Sequence, residues 1–303
     1  MKNALTIDLE DYYQVSAFSK TFVVDQWDNY PSRVEQNTAK LLSILDEANA
    51  RATFFTLGWV ARKFPKLIRE IADRHHEIAC HSNVHRYVYA MSADEFREDT
   101  FQAKSLLEDI IGAPVFGYRA PSFSITPDSL WAYEILIELG FSYDSSVFPI
   151  KHPNYGWPKA PRFPFTIRTN SGSIIEFPMP TIQMAGVRAP IGGGAYLRML
   201  PYWFTRWGIR YINRGEEKSA CVYLHPWELD SEQPRMKGSA SARLRHYFGL
   251  RGAESKFRRV LLDFEVKPLI RLIEGLQFDS AESSKAIPEV ALGELRAFLG
   301  EPR

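Results

Sequence analysis

Short β-leaning runs alternate with amphipathic helical runs through the first half of this chain, at intervals of roughly 25–35 residues, and that rhythm limits the possible folds more than any other feature. Runs at 4–8, 51–58, 76–82, 115–121 and 141–147 read as strands, and segments 32–50, 64–75, 92–112 and 126–140 as the helices between them. In the first helix Val34, Leu41, Leu42 and Leu45 share one side, and the third takes Ser92 as N-cap and Gly112 as its stop. Such alternation predicts an α/β chain of parallel βα units, with chemistry at the carboxyl ends of the strands. Asp8 to Asp11, His81 to His85, Arg119, Asp144 and His225 all fall at such ends.

From about residue 150 to 200 the alternation lapses. Residues 152–165 are rich in proline, glycine and aromatics, and 174–181 with the glycine triplet 192–194 predict strands or loops added to the core fold. Segment 200–215 reads as an amphipathic helix and 219–229 as a last strand running into His225. Residues 231–303 begin with a basic stretch and end in weakly helical segments. The expected division is therefore a catalytic unit, 1–230, and an extension, 231–303, packed on it.

Charge and cysteine content remove several classes. Lys and Arg number 37 against 36 Asp and Glu, a net charge of +1, which argues against a nucleic-acid specialist. A chain of 303 residues buries a large core without staples, and Cys80 and Cys221 read as small buried hydrophobes rather than a disulfide framework. The opening MKNALTIDLEDYY does not have the pattern of a secretory leader, and no apolar run approaches the ~18 residues of a spanning helix. A cytoplasmic location is expected, with peripheral attachment at the inner membrane face left open.

His81 and His85 in HSNVH are spaced four apart, and an isolated pair of this kind is more often two solvated loop histidines than a metal site. Here DLED (8–11) offers three carboxylates at the end of the first strand, and burying them needs a cation or an arginine. Arg119 in YRAPSF supplies the arginine at another strand end. Two histidines and one carboxylate form a three-ligand site that leaves room for water or substrate, while a second carboxylate stays free as a base. His225 in YLHPWE suits a group that protonates a leaving amine near neutral pH, and Asp144 in YDSS is a candidate to hold its tautomer.

Taken in order, TIDLED, HSNVH, RAPSF, YDSSVFP and YLHPWE resemble the five motifs of the polysaccharide deacetylases, family four of the carbohydrate esterases, over roughly residues 1–230. Residues 243–264 resemble the extension of a subgroup linked to exopolysaccharide loci of the exosortase (XrtA) type. The resemblance implies a distorted (β/α) barrel of the NodB type with fewer than eight regular units. It implies that Asp8 is the general base held by Arg119, and that His225, oriented by Asp144, is the catalytic acid. His81, His85 and a second carboxylate would bind the metal. Where the family carries two adjacent aspartates this chain reads Asp8-Leu9-Glu10-Asp11, so the ligand is Glu10 or Asp11. The shorter Asp11 matches the family's ligand type and is preferred. Ser122 stands where the family has an aromatic, with Phe123 next, and its backbone N–H can still serve the oxyanion. Trp227, beside His225, is placed to floor a sugar subsite.

The implied activity is removal of N-acetyl groups from amino sugars of an exported or surface polysaccharide, or of its lipid-linked oligosaccharide precursor. Zinc is the expected ion, with cobalt, nickel or iron suiting similar ligands. An exopolysaccharide biosynthesis complex is the implied partner. The rival readings are an amide or cyclic-imide hydrolase of the allantoinase-like branch and a catalytically silent glycan-binding protein. Gly192–Gly194 reads as a flexible turn near the cleft, Trp157 and Trp203 as core or rim packing, and the basic run 235–259 as a solvated face.

Overall fold

The computed structural model describes residues 1–152, 155–282 and 289–291; the remainder of the expected extension, 283–288 and 292–303, and positions 153–154 lie outside the described residues. Strand β1 (Asn3–Leu9) is buried along its whole length, on both faces. It is followed by α1 (Val34–Glu47), β2 (Thr53–Thr56), α2 (Gly58–Lys63), α3 (Pro65–Asp73), β3 (Glu77–Cys80), α4 (Ala93–Ile111), β4 (Gly117–Tyr118), α5 (Ala132–Glu138) and β5 (Tyr143–Asp144). The ends of α4 follow the local chemistry. Ser92 and Glu95 close a reciprocal capping box at its start, and Gly112 ends it in the left-handed conformation, φ 66°.

The second half adds β6 (Phe165–Thr169), β7 (Gly172–Glu176), β8 (Thr181–Met184), β9 (Val187–Pro190), α6 (Gly194–Met199), α7 (Tyr202–Arg210), β10 (Cys221–Leu224), α8 (Ala240–Tyr247), α9 (Leu250–Asp263), β11 (Val266–Lys267), α10 (Leu269–Glu282) and β12 (Glu289–Ala291). One sheet runs in the order β10-β1-β2-β3-β4-β5-β7-β6-β12, with β11 added to β1. Its pairings from β10 to β7 are parallel, and β6–β7 is an antiparallel hairpin. This is the expected α/β architecture, in an open arrangement among the described residues, with β10 and β12 at its ends.

Register positions the site. Leu9, Thr56, Cys80, Tyr118 and Asp144 are partners in one row across five strands. The residues one step further on, Glu10, His81 and Arg119, therefore leave neighbouring strands at one height. Ile7 pairs with Leu224, which sets Asp8 level with His225.

Several local expectations change. The run 200–215 is not one helix: α7 gives way to a π turn at Tyr211–Gly215. The glycine triplet is a close-approach segment rather than a flexible turn. The Tyr223 amide donates to the Gly192 carbonyl at 2.9 Å, and a Cβ on Gly193 (φ +156°) would stand 2.1 Å from the Tyr223 carbonyl oxygen. The basic run is partly structural as well. Lys256 Nζ donates to the carbonyls of Leu197, Arg198 and Leu200, and Arg258 pairs with Glu47 and Glu254. Trp157 is buried, but Trp203 is 67% exposed and packs in no core.

Candidate active site

Asp8 ends its strand against Arg119, which is fully buried and donates to Asp8 Oδ1 at 2.7 Å. The same guanidinium donates to Thr6 Oγ1 (2.8 Å), the Ser145 carbonyl (3.1 Å) and Ser145 Oγ (3.0 Å), and lies 4.1 Å above the Phe55 ring. With its donors distributed in this way, the arginine cannot swing away, and it fixes the Asp8 carboxylate in place. Asp8 Oδ2 lies 3.8 Å from His225 Nε2.

Glu10, His81 and His85 offer ligand atoms that all lie within 4.8 Å of one another. His81 Nδ1 lies 2.7 Å from the Arg119 carbonyl, an acceptor only, so Nδ1 carries the proton and Nε2 presents a lone pair. Burial holds His81 neutral, at a pKa of about 4. His85 Nδ1 is 3.1 Å from Ser16 Oγ, and that hydroxyl is 2.7 Å from Ser122 Oγ. Its Nε2 is 2.9 Å from Glu10 Oε2, yet this buried oxygen receives no hydrogen bond. Burial opposes the charge on Glu10, but His85 and then His225 outweigh it and bring the pKa to about 2. An ionised, under-bonded carboxylate beside two imidazole nitrogens fits a divalent cation. The loops bearing these groups are strained: Ser82, His85, Ser122 and Phe123 all have positive φ, between 53° and 68°.

Asp11 is not among these groups. It turns away from the histidines, and its carboxylate accepts from Ser32 Oγ (2.6 Å), the amides of Arg33 (2.9 Å) and Val34 (3.3 Å), and its own neighbour Tyr12 (2.9 Å). It is a cap for the start of α1, and Glu10 rather than Asp11 stands with the two histidines. The reason is backbone geometry. Successive residues leaving a strand point to opposite sides, so only one of Glu10 and Asp11 can face the histidines.

Asp144 does not reach His225 either. It accepts from Ser146 Oγ at 2.6 Å and forms a coupled buried pair with Glu176, whose carboxyl burial and Asp144 push well above the usual range. The orienting carboxylate is Glu228, 2.5 Å from His225 Nδ1. Glu228 is held in turn by Arg198 at 2.5 Å, in an ion pair with both side chains almost fully buried. Burial opposes the charge on His225, but Glu10, Glu228 and Asp8 raise its pKa to about 9. Ser16, Arg198 and Glu228 were not expected from sequence, although HPWE carries a readable clue. His225 and Glu228 stand at the i, i+3 spacing of a capping box, and the turn Pro226–Leu229 forms one.

The cleft in front of these groups has a volume of about 140 Å³ and is walled by Tyr87, Phe123, Tyr155, Tyr223 and Trp227. Trp227 stacks on His225 at 5.0 Å and donates Nε1–H to Glu10 Oε1 at 3.3 Å. The second half of the chain completes the wall with Arg198, Ala242, Arg245 and His246.

Residues 17–142 match the polysaccharide deacetylase family. Over those residues the chain is similar to the polysaccharide deacetylases. Residues 145–274 match a second family, a domain of unknown function, DUF3473. The site straddles both: the deacetylase match includes His81, His85 and Arg119, whereas His225, Glu228 and Arg198 lie in the second. Among curated proteins the chain is 36% identical over 99 residues to a peptidoglycan-N-acetylglucosamine deacetylase of Bacillus cereus, covering 32% of this chain and 36% of that protein. It is 28% identical over 113 residues to a peptidoglycan deacetylase of Helicobacter pylori, covering 37% of this chain and 38% of the relative. The chain thus spans little more than a third of each of these relatives' length. A crystal structure of a presumed polysaccharide deacetylase from Mycobacterium smegmatis matches the fold at a TM-score of 0.60 and 21% identity, over 95% of this chain and 93% of that one.

Proposed function

We propose that this protein is a metal-dependent deacetylase that removes N-acetyl groups from the amino sugars of a polysaccharide or its precursor. The observation that carries the reading is a single constellation: the Arg119-held carboxylate of Asp8 and the imidazole of His225 flank the Glu10–His81–His85 group at the base of an aromatic cleft. Glu10, His81 and His85 would hold a divalent cation, zinc by donor type, which supplies Lewis-acid polarisation of the amide carbonyl and acidifies water.

The remaining work falls to the chain. Asp8 accepts a proton from the attacking water, and Arg119 holds that carboxylate aimed into the cleft. The Phe123 amide is already committed to the Ala120 carbonyl at 3.0 Å, which makes the Ser122 amide the donor at this turn for the oxyanion. His225, with Nδ1 fixed on Glu228, directs Nε2 into the cleft to give its proton to the departing amine. Water and amide become acetate and a free amine. Trp227 and Phe123 offer ring faces to the sugar.

The relatives named for peptidoglycan and N-acetylglucosamine support an N-acetylated glycan as substrate. The resemblance of residues 243–264 to the exosortase-linked extension favours an exported polysaccharide, or its lipid-linked precursor, as the polymer. The test is acetate release from N-acetylglucosamine oligomers by purified, chelated and zinc-reloaded protein. Activity that is lost on chelation, returns with zinc and is absent in Asp8→Asn sustains the reading. Protein that binds zinc stoichiometrically and releases no acetate from any N-acetylated oligomer refutes it.

A further inference from the structure

The segment 200–215 contains three arginines and no acidic residue. Its inner side is ordinary core, with Tyr202, Thr205, Ile209 and Ile212 buried. Its outer side carries two parallel rows, each at four-residue steps: Trp203, Trp207 and Tyr211, and alongside them Arg206, Arg210 and Arg214. Trp203 is 67%, Trp207 39% and Tyr211 40% exposed. Together with Phe204 these rings form a continuous ladder with centroids 5.8, 5.7 and 5.9 Å apart. Leu262 of α9, which lines the same surface groove as Trp203, Arg206 and Arg259, is 85% exposed. Asp263 is the acid at this groove, and it is engaged by Arg206 at 3.0 Å.

From this surface we infer that the outer face of α7, with Leu262, is a docking site for an anionic phospholipid bilayer. The residue types discriminate among possible occupants. A protruding leucine gains little from a hydroxyl-covered glycan but gains fully from an acyl layer. Tryptophan and tyrosine rings sit at headgroup depth, and the exposed Arg214 extends beside them to reach phosphate, while Arg206 and Arg210 stay with Asp263. A short helix buried on one side and aromatic and cationic on the other lies in the interface plane and does not cross it, and no described helix is long and apolar enough to cross. The surface lies within the segment matching the domain of unknown function and is independent of the deacetylase chemistry.

The test is sedimentation of the full chain with vesicles of phosphatidylcholine, with and without phosphatidylglycerol, at low and high salt. The expected result is binding to phosphatidylglycerol vesicles, weakened by salt, with a blue shift of tryptophan emission. Trp203→Ala and Leu262→Ser should each weaken it roughly tenfold or more, and Arg214→Gln roughly fivefold, with melting temperature unchanged because all three side chains are exposed. The inference is overturned if the wild type ignores phosphatidylglycerol vesicles, or if binding survives both apolar substitutions. Self-association or glycan binding that is lost in Trp203→Ala, with no vesicle binding, overturns it in favour of a second copy of the chain or a sugar at this face.

Discussion

Replacing Glu10 by glutamine and Asp11 by alanine separates two adjacent acids that the structure assigns to different tasks. Asp11 accepts four hydrogen bonds, at 2.6, 2.9, 2.9 and 3.3 Å, two of them from the first amides of α1. Loss of an N-cap costs about 1 kcal/mol and each buried donor left unsatisfied about 1–3 kcal/mol. Helix fraying and water entry recover part of that, so Asp11→Ala should lose about 3 kcal/mol of stability. At about 2–4 °C per kcal/mol for a chain of this size, the melting temperature falls by roughly 6–12 °C. Its zinc affinity should stay within a few-fold of wild type. Glu10→Gln should do the reverse, because Glu10 Oε2 has no hydrogen bond to lose and, under the proposed function, would supply the anionic ligand. Zinc titration calorimetry on each folded variant, with thermal melts in chelator, provides both readouts. An Asp11→Ala protein that melts like wild type but no longer binds zinc, or a Glu10→Gln protein with unaltered zinc affinity, would refute the assignment.

Three further outcomes follow from the geometry. Glu228→Gln should lower kcat for acetate release about 10–100-fold while zinc content is kept, as expected when the group orienting an active imidazole is weakened; an unchanged kcat would show that Glu228 does not position His225. Glu77 is half-buried at the start of β3, and desolvation raises its pKa from 4.5 to about 7 despite hydrogen bonds from Thr53, Tyr143 and the Ile270 amide. The folded chain therefore keeps a proton that the unfolded chain releases between those values, and stability falls as pH rises through that window, by about 3 kcal/mol at most. Denaturant titrations of Glu77→Gln across the window should lack this component, and an identical pH slope in both proteins would contradict it. Gly193→Ala places a Cβ 2.1 Å from the Tyr223 carbonyl oxygen and should cost more than about 2 kcal/mol, with activity falling as α6 and Arg198 shift; a melt like wild type's would show that the close approach is not needed.

The sequence alone was enough to establish the parallel α/β architecture and the strand ends that carry chemistry. Both rest on local patterns, namely short β-leaning runs for strands, amphipathic helices between them, and a cap at Ser92 with a stop at Gly112. His81, His85, Arg119, Asp8 and His225 were recognisable because strand ends bring such residues together in any fold of this kind. Which acid faces the histidines was not legible. Glu10 and Asp11 differ only in the side of the backbone they leave from, and that depends on where β1 ends and how the chain turns towards α1. The partner of His225 was hidden for a different reason. Asp144 ends β5, five strands along the sheet from β10, and pairs with Glu176, whereas Glu228 is stabilised by Arg198, thirty residues earlier and brought close only because Gly192–Gly194 can lie against β10. The outward side of α7 likewise depends on which of its two faces the core covers. Periodicity can show that a helix has two faces, but only packing decides which is buried, and here the arginines and tryptophans are on the side left to solvent.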